Sequence, residues 1–217
     1  MKTTVAQPTK SKLVYCGVTA ACVAALASGG ALASLAYLQD DTQMVKNTFT
    51  AGQVSFDEEV GLVEHVTDEY GNVEDPSSFT EEGNTYNLVP GHSYTKDPTV
   101  TIEAGSEDSY VFLVVYNPIS KIETGQTIAT QMTAAGWTKI TNANTAIKGT
   151  VYAYNSIVKK SDTDTTLSSF TSFTVKNTLG ASDIEPYSGK EIDVSAYAVQ
   201  ADGFEDAASA WNATFGA

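Results

Sequence analysis

The sequence of 217 residues contains no arginine, and its 12 lysines are outnumbered by 26 aspartates and glutamates, so the formal net charge is −14. Proteins that bind nucleic acid neutralise the phosphates with clustered arginine and lysine. A polybasic patch for an anionic membrane surface needs the same residues. The composition therefore predicts that the protein binds neither nucleic acid nor an anionic membrane surface.

Residues suited to catalysis are equally scarce. The two cysteines, Cys16 and Cys22, both lie near the N-terminus, and the two histidines, His65 and His92, are outside any His-Glu-x-x-His motif. The chain also lacks a Gly-x-Ser-x-Gly nucleophile motif and a glycine-rich phosphate loop with its lysine. We therefore expect no enzyme activity, no catalytic residue and no metal site, and we place both histidines in loops or on the surface. Paired carboxylates are abundant, so glycosidase-type acid–base chemistry stays open by residue type alone.

The N-terminal segment has the layout of a secretory signal. Three lysines precede an uncharged run from Leu13 to Gln39, which contains the small-x-small sites 31–33 and 34–36. A basic start, an apolar middle and a small-residue end are typical of signal peptides. We predict a signal helix in residues 1–36 and cleavage between Ala36 and Tyr37; the alternative is a retained membrane anchor. Residues 37–217 then carry nine lysines against 26 acids, a net charge of −17 and no cysteine.

The remaining residues, 37–217, favour β-structure. They include 24 threonines and 16 valines but only 6 leucines, and β-branched side chains suit a pleated, half-buried surface. We predict one all-β domain, an antiparallel β-sandwich or jelly roll with short helices at 126–135 and 205–211. The continuously apolar run 110–116 is predicted to be a central strand covered on both faces. Further strands are expected at 48–56, 100–104, 137–141, 150–158, 170–176 and 191–200.

Three features leave a ligand-binding role open. Residues 57–84 hold ten acids and no lysine, which predicts a solvated acidic excursion with a short hairpin near residues 62–66. Asp162 and Asp164 begin like a calcium loop, although the glycine and the distal glutamate are missing. Plentiful aromatic residues could form a carbohydrate platform. An extracellular glycan- or calcium-binding module is therefore the alternative function, with calcium as the one cofactor considered.

Several segments together carry a family resemblance. The signal end at 29–37 is followed by acids and then by Asn-Thr-Phe-Thr-Ala-Gly-Gln-Val at 47–54. Further segments are Leu-Val-Pro-Gly at 88–91, Ala-Val-Gln-Ala at 198–201 and Ala-Trp-Asn at 210–212. This arrangement resembles the TasA, CotN and camelysin proteins, which Gram-positive bacteria export and process with the signal peptidase SipW. Residues 57–82 and 119–185 do not contribute to the resemblance.

The resemblance implies a secreted, jelly-roll-like subunit of the biofilm matrix or cell surface. Such subunits form fibres in which the N-terminal strand of one copy adds to the next by β-augmentation. Partners would be further copies of the chain, other matrix subunits and the maturing signal peptidase. The candidate donor segment is 37–50, with apolar Leu38, Met44, Val45 and Phe49.

Two other interpretations accompany this one. An ordinary first strand at 48–56 could pack in the subunit's own sheet, which would leave 37–46 as the more separable part. Camelysin-like proteins are described as metallo-endopeptidases, but no zinc-binding histidine motif supports that activity here.

Overall fold

The computed structural model describes residues 39–42, 61–141 and 147–216. Within these ranges the chain forms eleven strands, three helices and one 3-10 turn at Glu185–Tyr187. The strands are β1 (Gln39–Thr42), β2 (Leu62–His65), β3 (Phe79–Thr80), β4 (Ser93–Thr95), β5 (Thr99–Ile102), β6 (Ser109–Tyr116), β7 (Trp137–Lys139), β8 (Thr150–Tyr154), β9 (Thr165–Ser168), β10 (Ser172–Thr174) and β11 (Asp193–Gln200). The helices are α1 (Ile128–Ala134), α2 (Ala181–Ile184) and α3 (Ala207–Phe215). No helix in these ranges has the length and apolarity needed to cross a membrane.

The described strands pair into three antiparallel sheets. The largest has the order β1-β11-β6-β8-β7, the second β3-β2-β5-β9, and the third joins β10 to β4. This confirms the prediction of an all-β chain with antiparallel sheets and few short helices. The predicted signal helix and the predicted strand at 48–56 lie outside the described residues.

Strand β6 is the centre of the largest sheet, as its apolar run predicts. It pairs with β11 on one side and β8 on the other, and Ser109 to Val115 are all buried. Val111, Leu113 and Val115 alternate on the face that joins the main core. On the opposite face Phe112 lies 5.1 Å from the Trp211 ring of α3. Both faces are therefore covered, which explains why this strand has no polar alternation.

One hydrophobic core joins the three sheets. Val100, Ile102 and Leu167 enter it from the second sheet, and Tyr94 and Phe173 enter it from the third. The indole N–H of Trp137 in β7 donates to the Ser168 carbonyl of β9 at 2.9 Å, which ties the first sheet to the second. Burial of these large side chains is the main stabilising term of the fold.

The acidic excursion is more structured than predicted. Its described part holds β2 and β3, and the expected hairpin at 62–66 is instead β2, paired with β3 and β5. Asp68 accepts the backbone N–H groups of Tyr70 and Asn72 at 2.9 Å, so this carboxylate shapes a turn. At Gly71, with φ of +78°, a Cβ would lie 2.6 Å from the Tyr94 Cα. This loop therefore sits directly on β4.

Leu113→Ala should strongly destabilise the fold because it removes a fully buried side chain from the central strand. We expect a loss of about 2–5 kcal/mol in the free energy of unfolding, measured by urea titration with tryptophan fluorescence. Lys139→Ala, at an exposed position of β7, is the matched control and should change stability by less than about 0.5 kcal/mol. Equal effects from the two substitutions would contradict the assigned core.

Candidate functional site

Two charged pairs connect β2 to the residues that follow β4. Glu64 and His65 are consecutive in β2, and Lys96 and Asp97 are consecutive after β4. Successive side chains of an extended chain point to opposite faces. Glu64 therefore meets Lys96 on one face, and His65 meets Asp97 on the other. The same offset of 32 residues separates the members of each pair.

The Glu64–Lys96 pair is buried. Lys96 Nζ lies 2.7 Å from Glu64 Oε2, and each side chain is 6% exposed. The second carboxylate oxygen, Oε1, accepts a hydrogen bond from Asn84 Nδ2 at 2.7 Å. A buried ion pair is tolerated only when its remaining polar atoms are also paired, because desolvation costs several kcal/mol per ion. Asn84 supplies that second partner.

The Asn84 carboxamide is itself fully engaged. Its Nδ2 also donates to the His65 carbonyl at 2.8 Å, while its Oδ1 accepts the backbone N–H of Thr67 at 2.8 Å. This pattern fixes which end of the amide is oxygen, since one end faces two acceptors and the other faces a donor. Glu64, Lys96 and Asn84 thus form a polar triad with a single orientation.

Aromatic residues lie beside the triad. Tyr86 donates its hydroxyl proton to the Thr95 carbonyl at 2.7 Å, and its ring packs edge-on against Phe173 at 5.2 Å. Burial, followed by the nearby negative charge of Glu64, raises the pKa of the Tyr86 hydroxyl well above its usual range. Tyr94 stacks on Phe173 at 4.9 Å. The triad is therefore flanked by an apolar wall and a tyrosine that remains protonated.

The second pair is half-buried. His65 Nδ1 lies 2.6 Å from Asp97 Oδ2, and Asp97 Oδ1 accepts the His65 backbone N–H at 3.0 Å. The other ring nitrogen, Nε2, lies 3.2 Å from the Pro76 carbonyl. His65 thus differs from the expected loop or surface histidine: it belongs to β2, and both ring nitrogens have partners. His92 lies directly before β4, and its Nε2 is 2.8 Å from the Tyr70 carbonyl oxygen.

A cleft of about 670 Å³ opens next to the triad. Glu64 and Lys96 line one side, and β11 residues 193–195 line another. Apolar side chains around it include Leu62, Leu88, Ile119, Phe173, Ile192 and Val194, while Glu81, Glu82, Glu191 and Asp193 add acidic groups. Since β1 pairs only with residues 196–199 of β11, residues 193–195 have β6 on one side and no described strand on the other.

The two calcium candidates do not belong to a metal-binding cluster within the described residues. Asp162 and Asp164 are both exposed, and Asp164 Oδ1 accepts the N–H of Ala104 at 2.9 Å. The part of the chain that is described contains no group of three or more acidic, histidine or cysteine side chains placed to hold a metal. The cleavage residues Ala36 and Tyr37, and the donor candidates Leu38, Met44, Val45 and Phe49, lie outside the described residues.

Sequence reasoning missed the triad. The prediction of a solvated acidic excursion is wrong for Glu64, which is 5% exposed. One signal was available: Lys96 continues the inward alternation that begins at Tyr94, so a lysine stands where a buried residue is expected. The position of Asn84 depends on a long-range contact that no local pattern contains.

Lys96→Met should destabilise the protein because it leaves the Glu64 carboxylate buried without its cation. We expect a loss of about 3–5 kcal/mol in urea titrations at neutral pH. The matched control is Lys160→Met: Lys160 pairs with Glu107 at 2.6 Å, but the side chains are 55% and 40% exposed. This exposed pair should contribute less than about 1 kcal/mol. A similar loss in both variants would argue against a buried pair.

Comparisons with known proteins add no assignment. No protein-family model matches the chain, and neither a curated protein nor a solved structure is significantly similar to it. The function is therefore argued from the geometry of the site and from the sequence.

Proposed function

We propose that the protein is an exported structural subunit of the cell surface or biofilm matrix that assembles with its own copies by β-strand addition. In this proposal its sheets form a jelly-roll-like domain. The observation that carries the proposal is β1, a four-residue strand near the N-terminus that pairs at the edge of the largest sheet. Its register sets Gln39 opposite Val199 and Thr42 opposite Ala196.

An edge strand near a chain terminus can be exchanged between copies. β1 belongs to the candidate donor segment 37–50, and its described part pairs with β11 of the same chain. If β1 leaves, the edge of β11 presents unpaired N–H and C=O groups, which are a template for a strand from another chain. The β1 of a second copy offers the same hydrogen bonds, so exchange conserves the pairing while linking two subunits.

In this proposal the edge of β11 that receives a donor strand continues past β1 along the cleft. Residues 193–195 of β11 continue past the last β1 pair and lie among apolar side chains such as Leu62 and Ile192. A longer donor segment can therefore pair along β11 and bury apolar side chains in the same cleft. Apolar contacts of this kind give a strand-addition interface its register as well as affinity.

Cysteine trapping tests the exchange directly, because residues 37–217 contain no cysteine. One chain carries Thr42→Cys and a size-tagged chain carries Ala196→Cys, since these positions are register partners. Both chains begin at residue 37 and therefore lack Cys16 and Cys22. Mild oxidation of the mixture should yield a disulfide-linked heterodimer, seen on non-reducing gels. The double variant in one chain should give an internal disulfide.

Position 168 provides the control for this experiment. Ser168→Cys lies exposed on β9 of another sheet, so it should not trap Thr42→Cys. Heterodimers formed as readily with position 168 as with 196 would indicate random collision. If the double variant forms only its internal disulfide at every protein concentration, and the mixed single variants form no heterodimer, assembly through β1 is ruled out.

Acid and salt should promote assembly. The chain after residue 36 carries a net charge of −17 at neutral pH, and like charges oppose association. Protonation of carboxylates lowers that charge, and salt screens it over about 10 Å at 0.1 M. Light scattering should therefore show faster assembly at pH 4.5 than at pH 7, and in added salt at pH 7. An assembly rate that changes with neither pH nor salt would contradict the view that electrostatic repulsion limits assembly.

A further inference from the structure

We propose that Lys96 and Asn84 are the reactants of an intramolecular isopeptide bond, with Glu64 as the group that moves the protons. This inference does not depend on the proposed function. Isopeptide formation between a lysine amine and an asparagine carboxamide needs both groups side by side, away from water and in contact with one proton carrier. In the triad, Glu64 contacts both Lys96 and Asn84, the lysine and the glutamate are buried, and Asn84 is half-buried.

The first condition is proximity. Lys96 Nζ and Asn84 Nδ2 each lie 2.7 Å from a different oxygen of the same Glu64 carboxylate. One carboxylate therefore bridges the attacking amine and the amide that it would attack. Holding reactants in such a geometry replaces a bimolecular encounter with a unimolecular step, which is the largest entropic contribution to reactions of this kind.

The second condition is low exposure of the two charged side chains. Lys96 and Glu64 are each 5% exposed, and Tyr86 and Phe173 line the cleft beside them. In the proposed reaction a proton passes from the Lys96 ammonium to the Glu64 carboxylate along their 2.7 Å contact. The transfer turns Lys96 into a neutral amine, which is the nucleophilic form.

The third condition is activation of the carboxamide. The Asn84 Oδ1 accepts the backbone N–H of Thr67 at 2.8 Å, so a fixed donor points at the oxygen that becomes negative during attack. The leaving nitrogen, Nδ2, contacts Glu64 Oε1, which can return a proton to it. Donor, acceptor and proton carrier are thus all in place around one amide.

The reaction balances without an oxidant, a cofactor or another reactant. Lys96 gives one proton to Glu64, and its Nζ attacks the Asn84 Cγ, forming a C–N bond. The tetrahedral intermediate then collapses, the bond from Cγ to Nδ2 breaks, and Glu64 protonates the departing nitrogen. The products are a secondary amide between the two side chains and ammonia, which leaves as ammonium with the second proton of the original lysine ammonium. Glu64 ends as it began.

Such a bond would close a covalent ring from residue 84 to residue 96. The ring contains the turn at Pro90-Gly91 and Tyr94, whose hydroxyl already holds the loop through Asn87 and Val89. A cross-link stabilises chiefly by restricting the unfolded chain. It would give this chain, which has no cysteine after Cys22, a covalent restraint that needs no oxidising environment.

Mass spectrometry of the full-length folded protein tests the proposal. After its N-terminus has been determined, the intact mass should lie about 17 Da below the sequence mass, the mass of one ammonia. Cleavage after Glu82 and Glu103 should release peptide 83–103, which contains both reactants. This peptide should carry the whole deficit and give no backbone fragments between residues 84 and 96.

Three variants separate the bond from other losses of ammonia. Glu64→Gln should restore the full sequence mass, because the proton carrier is gone. Asn84→Asp should lose water instead of ammonia, so its deficit should be about 18 Da and map to the same peptide. Lys160→Gln, which alters an exposed lysine, should keep the wild-type deficit.

The wild-type mass decides the outcome even if a variant fails to fold. A deficit located on residues 84 and 96 supports the bond. An intact mass equal to the sequence mass, in folded protein held for days at neutral pH, overturns it and leaves the triad as a buried ion pair. A deficit that survives in Lys96→Ala would also overturn it.

Discussion

The need to cover β6 on both faces governs the architecture. Ser109 to Val115 are buried without interruption, so neither face of this strand can meet water. One face joins the core shared by the three sheets, and the other is covered in part by α3 through Trp211. β11 pairs with β6 along its whole length, and β8 pairs with residues 112–115 on the other side. On one side of β6 the sheet continues through β11 to β1, so β1 is the edge strand on that side.

The polar triad is the exception to this apolar order. A buried ion pair adds little stability by itself, since desolvation cancels much of the attraction. It does supply directional contacts: Glu64 accepts from Lys96 and from Asn84, and Asn84 also donates to the His65 carbonyl. The triad therefore fixes how β2 meets the segment after β4, and it does so beside the cleft that adjoins β11.

The predictability of the fold follows the strength of local patterns. Long apolar or alternating runs, such as β6 and β11, were identified from the sequence, as were α1 and α3. Short polar strands such as β4 and β9 were missed, because Ser-Tyr-Thr and Thr-Thr-Leu-Ser have no clear period and gain their order from partners far along the chain. The triad was missed for the same reason. Its members are spread over residues 64 to 96, and only the folded backbone brings them together.

The burial of Lys96 also affects how extracellular proteases meet the protein. Trypsin-like enzymes cut after lysine or arginine, the chain has no arginine, and Lys96 is the single lysine between Lys46 and Lys121. Because that lysine is 5% exposed, the folded chain offers such enzymes no accessible lysine or arginine across the described residues 61–120. The contact that joins β2 to the end of β4 thus also withholds the lysine of this region from such enzymes.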